Sequence, residues 1–263
     1  MKNKSFPIFK ILIKILITAI IILIFTIGFF GIKGYFMYKR SVEEKSITEI
    51  VNEIRSRENF ISYEELPEIY IDAVISAEDK RFEKHCGIDV KAIGRAILKD
   101  IKTMSAAEGG STITQQIAKN ILFTQDKKIE RKFAEIFASF ALEDKYSKKE
   151  IFEIYVNTIY FGNGYYGICE AAEGYFEKTP SELSDYESVM LAGLPNAPTD
   201  FSQDSALAKE RMNYVLKCMK KCGKITSEEM NKISEQKSST AQDSCGTILK
   251  LFLPACPAVR LFP

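Results

Sequence analysis

Ile15 to Ile32 is a run of 18 residues without a charged side chain. At the helical rise it is about 27 Å long, close to the apolar thickness of a bilayer. A cleaved leader has a shorter apolar stretch followed by a small-x-small cleavage site. Here the run ends in Gly31-Ile32-Lys33-Gly34-Tyr35-Phe36, and residues 15–36 read as an uncleaved membrane-spanning helix. Lys2, Lys4, Lys10 and Lys14 precede it, whereas Lys33, Lys39 and Arg40 follow. This slight basic excess votes for an N-terminus inside. Tyr35, Phe36 and Tyr38 suit the outer interface, so everything beyond about residue 40 is expected outside the membrane.

The rest of the 263-residue chain suffices for one packed domain. Its formal net charge of +1, from 36 basic and 35 acidic residues, gives no global field that selects nucleic acid. Any anion site must be local. The six cysteines are scattered, no CxxC occurs and His85 is the single histidine, so no zinc spacing exists and the thiols read as reduced or buried.

Ser41 to Ser62 is charged and mixed, and reads as a stalk. From Pro67 the pattern becomes helical. Ile71, Val74 and Ile75 follow Pro67, and Asp89 can cap a helix bearing Ile93, Ile97 and Ile101. Ile113, Ile117 and Ile121 make another stripe, as do Ile129, Phe133, Ile136, Phe137 and Phe140. Ser147 to Glu150 and Ser184 to Glu187 are capping boxes. One more helix runs to about Cys222 and stops at Gly223. No alternating strand pattern appears, so a mainly α-helical domain is expected. Beyond Ile233, Ser234 to Ser244 is polar with little to bury, and Leu251 to Pro263 is Pro-containing and apolar apart from Arg260.

Four clusters carry chemistry. In the first, the apolar Ala73-Val74-Ile75 segment leads into Glu78-Asp79-Lys80-Arg81, and adjacent carboxylates at the end of a buried helix need solvation or partners. In the second, Gly109 and Gly110 precede Ser111-Thr112-Ile113-Thr114-Gln115-Gln116, a polar helix start that offers N–H groups and hydroxyls to an anion. The third is Arg131-Lys132-x-x-Glu135, which shares one side of a helix, with Lys119 and Lys127 nearby in sequence. The fourth, Lys148 to Asn157 before Phe161-Gly162-Asn163-Gly164, looks structural, with Asn157 tying the turn.

Taken in order, the clusters resemble the bacterial peptidoglycan glycosyltransferases, found as monofunctional enzymes and as the N-terminal domain of class A penicillin-binding proteins. An ED-x-x-F-x-x-H-x-G pattern is matched from Glu78 to Gly87, G-x-S-T-x-T-Q-Q from Gly109 to Gln116, and R-K-x-x-E from Arg131 to Glu135. K-x-x-I-L-x-x-Y-x-N is matched from Lys148 to Asn157 except for Phe152, and R-R-x-x-V-L from Arg211 to Leu216 except for Met212. Both departures fall in motifs read as structural.

The resemblance implies a lysozyme-like helical domain behind a single N-terminal transmembrane helix in the bacterial cytoplasmic membrane. The expected layout is a cytoplasmic N-terminus at 1–14, the anchor at 15–36, a stalk and membrane-proximal segment at 37–66, the extracytoplasmic glycosyltransferase domain at 67–222 and a partly disordered tail at 223–263. Expected partners are lipid II, the growing glycan strand, membrane lipid and other cell-wall synthesis or division proteins.

By the same resemblance Glu78 and Glu135 are the catalytic pair, Glu78 acting as general base. Asp79, Ser111, Thr112, Gln115, Gln116, Lys119, Lys127, Arg131 and Lys132 meet substrate. Phe82, His85, Gly87, Tyr155 and Asn157 are structural. Glu135 either positions the basic residues or holds the Mg²⁺ or Mn²⁺ implied as an accessory ion, although the sequence has no self-sufficient metal cage. The chain is expected to be monofunctional, because no β-lactam-binding domain is readable before Pro263. A lysozyme-like wall hydrolase also uses a lone glutamate, but it has no need of a diphosphate clamp. A non-catalytic scaffold would depend on neither.

Overall fold

The structure is a computed structural model, and it describes residues 5–103, 110–123, 128–196, 198 and 205–236. Helix α1, Ser5–Glu44, contains the apolar run and extends beyond it at both ends. It is the one helix among the described residues long and apolar enough to cross a membrane, and its side chains from Phe9 to Phe29 are exposed.

Helix α2, Ile47–Arg55, opens on a capping box in which Ser46 accepts from Glu49 N–H and the Glu49 carboxylate accepts from Ser46 N–H. Ile47, Val51 and Ile54 are buried in the same core as the rest of the domain, with Ile61 and Leu66. The expected stalk is therefore corrected: much of 37–66 is packed against the body. Its apolar residues at 47, 51 and 54 already have helical spacing, but the charges between them obscured it.

The body continues with α3 (Glu68–Glu78), α4 (Val90–Thr103), α5 (Ile113–Leu122), α6 (Ile129–Lys145), α7 (Lys148–Val156), α8 (Ile168–Phe176), α9 (Asp185–Gly193), α10 (Ser205–Lys221) and α11 (Ser227–Glu235). Thr112, Ser147, Ser184 and Thr226 start α5, α7, α9 and α11 with capping boxes, which satisfy otherwise orphaned N–H groups. Asp89 takes the Ala92 N–H at 2.8 Å and so starts α4, as its position before an apolar stripe suggests. The tail is corrected in part: α11 lies within it, with Ile233 buried, and 237–263 lies outside the described residues.

A single isolated bridge, Tyr160 with Tyr166, is the extent of β-pairing among the described residues. The fold is mainly α-helical. α3, α9 and α10 pack on one another, α5 lies on α6 and α7, and Tyr70, Phe82, Ile113, Ile117, Phe152 and Tyr155 fill the space between. Met212, where the family pattern has arginine, is fully buried in this core, and so is Phe152. Phe152 meets the Phe82 ring at 6.3 Å and the Tyr63 ring at 5.7 Å, which is what the larger side chain adds over leucine.

Candidate active site

Glu78 is the last residue of α3, and its side chain is 9% exposed. Both carboxylate oxygens are engaged. Gln116 Nε2, on α5, donates to Oε2 at 3.0 Å, and Arg211 Nη2, on α10, donates to Oε1 at 3.0 Å. Arg211 is itself placed by its Nε, which donates to the Gly193 carbonyl at 3.3 Å, and by the Tyr214 ring, 4.6 Å from its guanidinium. The side chain therefore stands at the junction of three helices, with each oxygen pointed by a residue distant in sequence.

Asp79 faces the other way. Its carboxylate accepts from His85 Nε2–H at 2.9 Å and from the Ile113 backbone N–H at 3.1 Å, and both side chains of the Asp79–His85 pair are nearly inaccessible. Thr112 Oγ1 donates to the Gly87 carbonyl at 2.6 Å and accepts from Gln115 N–H, while Gln115 Oε1 takes the Thr112 N–H at 3.1 Å. Gly87 has φ +84°, and a Cβ there would meet Ser139 at 3.1 Å, so glycine suits it on both counts. This network locks the start of α5 to the end of α3, which brings Gln116 to Glu78.

The second carboxylate is Glu135 on α6, 1% exposed. Arg131 Nε lies 3.2 Å from one oxygen and Lys132 Nζ 2.8 Å from the other. Lys132 Nζ also donates to Ser111 Oγ at 2.7 Å, joining α6 to the residue just before α5. Lys119 sits three residues beyond Gln116 on the same side of α5. Burial pushes its ammonium below the usual lysine range; Arg131 and Lys132 push it the same way, while Glu135 and Glu78 oppose them. Gln116 on α5 reaches Glu78, and Lys132 on α6 reaches Ser111 just before α5, so α5 joins the two carboxylate clusters. Four cations, Lys119, Arg131, Lys132 and Arg211, face two carboxylates there. The surplus of positive charge suits a multiply charged anion.

A resident divalent ion does not fit this donor set. Glu135 is already bound on both oxygens by cations, and no group of three metal-ligating side chains gathers among the described residues.

A transglycosylase family model matches residues 43–220. The chain belongs to the transglycosylase family. The match starts within the segment read as a stalk, in agreement with its packing. The chain is 38% identical to penicillin-binding protein 1F of Bacillus subtilis over 240 residues, which cover 84% of this chain and 34% of that protein. It is 40% identical to penicillin-binding protein 1A/1B of the same organism over 198 residues, 74% of this chain and 22% of the relative. The chain thus spans about a third or less of the curated relatives it matches. A crystal structure of penicillin-binding protein 1A from Haemophilus influenzae aligns over 68% of this chain and 17% of its own, at 22% identity and a TM-score of 0.41.

Within this transglycosylase domain the expected site residues divide. Glu78, Gln116, Lys119, Arg131, Lys132, Ser111 and Glu135 gather as described. Asp79, Thr112 and Gln115, expected to meet substrate, are buried: Asp79 bonds His85 and the Ile113 N–H, Thr112 bonds the Gly87 carbonyl and the Gln115 N–H, and Gln115 bonds the Thr112 N–H. A helix start and a buried turn engage the polar groups closest to them. Lys127 and Gly109 lie outside the described residues.

Among the residues expected to be structural, Phe82, Tyr155 and Asn157 are buried. Asn157, however, ties α7 to the 59–66 segment rather than to the glycine turn: its Oδ1 accepts from Ile61 N–H at 3.0 Å and its Nδ2 donates to Ile61 O at 2.8 Å. Lys148 Nζ likewise spans elements, donating to Glu143 Oε1 and to the His85 carbonyl, both at 2.7 Å. Sequence reading missed the role of Arg211. The signal was present in the fifth motif, but nothing in linear order says which carboxylate an arginine 133 residues away will meet.

Proposed function

We propose that this chain is a peptidoglycan glycosyltransferase that polymerises lipid II into β-1,4-linked glycan on the outer face of a bacterial cytoplasmic membrane, with its N-terminus inside. The reading is supported most by one observation: Glu78 is aimed by Gln116 and Arg211, and α5, which carries Gln116, is joined at its start to the cations around Glu135.

In this reaction the growing strand is the donor and lipid II the acceptor. Glu78 accepts the proton of the acceptor 4-hydroxyl as that oxygen attacks the anomeric carbon of the donor. A sugar hydroxyl is too weak an acid to ionise first, so proton transfer accompanies bond formation. The bond to the lipid diphosphate breaks on the opposite face, which inverts the configuration. The leaving diphosphate carries away negative charge, and Lys119, Arg131 and Lys132 stabilise it where it develops. Glu135 holds Arg131 and Lys132 in place. Arg211 points the base.

The full chain incubated with labelled lipid II should yield long glycan and released undecaprenyl diphosphate. Shortened fragments from finished wall would indicate a hydrolase, and no turnover at all would reduce the chain to a scaffold.

A further inference from the structure

Gly34 lies where the apolar run of α1 ends, one residue after Lys33. Its Cα is pressed against α6. A Cβ there would stand 2.4 Å from Phe133 Cβ, 2.9 Å from Ala134 N and 2.9 Å from Glu130 O. Two of these three atoms are backbone, so no rotamer change can make room. A Cβ at Gly28, six residues earlier, would meet nothing within 4 Å.

The contacts around this notch are specific. Lys33 Nζ pairs with Glu130 Oε1 at 3.2 Å. The Tyr35 ring meets Phe137 edge-on at 5.4 Å, and Tyr38 stacks on the same ring at 6.5 Å. From Lys33 onward residue numbers rise together on the two helices, 33 with 130, 34 with 130, 133 and 134, then 35 and 38 with 137. The helices therefore run in the same direction, out of the bilayer.

α6 turns Glu130, Phe133, Ala134 and Phe137 to the anchor. At 100° per residue Arg131, Lys132 and Glu135 fall on the other side of that helix. Between Glu130 and Glu135 the helix rises only about 7.5 Å. The cationic cluster consequently stands a turn or so above the level at which the charge-free run ends. That is the level of lipid headgroups, and of a diphosphate carried on a lipid.

We propose that Gly34 is a positioning residue: it forms the notch that docks the anchor helix on α6 and so sets the height at which Arg131, Lys132 and Glu135 meet a bilayer-borne diphosphate. The inference rests on the reaction proposed above.

The test uses the full chain in vesicles of phosphatidylethanolamine and phosphatidylglycerol loaded with lipid II, alongside a detergent assay with a short-chain lipid II analogue. Gly34→Leu should raise KM for vesicle-borne lipid II about tenfold or more, with kcat and the detergent rates held within about threefold of the parent. Gly28→Leu should behave as the parent in both. A readout free of activity is a benzophenone side chain placed at Tyr35, which should cross-link to the α6 peptide containing Phe137, and lose that product when Gly34→Leu is added. Retained cross-linking in Gly34→Leu overturns the notch. Equal losses in vesicles and detergent also overturn it, because α6 itself would then be damaged. If the parent makes no polymer while the cross-link behaves as described, the proposed reaction fails and the docking stands.

Discussion

The two carboxylates of the site are held in opposite ways. Glu135 is held locally. Its partners Arg131 and Lys132 are four and three residues before it on one helix, and Ser111 joins through Lys132 from elsewhere. Glu78 is held entirely from a distance, by Gln116 on α5 and Arg211 on α10. The difference bears on robustness. The Glu135 cluster forms whenever α6 forms, because helical spacing alone brings its members together. The Glu78 arrangement exists only when three helices have docked, so it reports on the whole fold. In the proposed reaction, a base that must be aimed at one hydroxyl gains from being fixed on two sides, whereas a charge cradle tolerates looser geometry.

Substitutions can break or sharpen this contrast. The largest effect is expected at Glu78. Glu78→Gln keeps the shape and the bond from Gln116 but cannot accept a proton, and polymerisation should fall about 10²–10⁴-fold with the melting temperature nearly unchanged. Near-normal rates would falsify the base assignment. Glu135→Gln should lower kcat about 10²-fold, since Arg131 and Lys132 lose their anchor but remain charged. A rise in KM alone, with kcat intact, would make them simple binding residues.

Arg211→Lys comes next. A lysine keeps the charge but cannot reach Gly193 and Glu78 with separate nitrogens, so kcat should drop about tenfold while KM holds. If Arg211→Lys and Arg211→Ala both left kcat alone, the distant aiming of Glu78 would not matter for catalysis. A fourth test concerns pH. Burial lowers the Lys119 ammonium from the usual 10.5, so its positive charge, and the activity that needs it, should fade at a pH below that value. Lys119→Arg stays charged, and the alkaline limb of the rate profile should move upward. An unmoved limb would remove Lys119 from the cradle.

The smallest effect lies outside the site. The hydrogen-bonded Arg81 guanidinium holds Asp89 down at about 2, against an ordinary 3.8. A depressed carboxylate contributes stability that is complete above its unfolded value and is lost as pH falls towards its folded one. Asp89→Asn can still cap α4, but it should flatten the loss of melting temperature between about pH 4 and pH 2. An unchanged acid profile would mean that the pair contributes nothing to folding.

How far the site could be read in advance follows the same division. Arg131, Lys132 and Glu135 were visible as a group because helix spacing makes neighbours of them. Thr112 and Gln115 were visible as polar residues at a helix start, yet their capping role competed with a substrate role, and the structure assigns them to the cap. Asp79 was read beside Glu78 because the two are adjacent in sequence. The turn at the end of α3 sends them apart, Glu78 to Gln116 and Arg211, Asp79 to His85 and Ile113. The segment before Pro67 was misread for a related reason. Its charges dominate the composition, and only the packing of Val51 and Ile54 at full burial reveals which face mattered.

The sequence by itself determined the apolar helix, the helical class of the body and the local charge cluster on α6. These depend on run length, on periodicity and on spacings within one helix, and all three are properties of linear order. Only the tertiary structure decided that Arg211 reaches Glu78, that Asp79 turns inward and that Gly34 seats the anchor against α6. Those outcomes depend on which helix surfaces meet, and close packing selects that from many arrangements the same local patterns would allow.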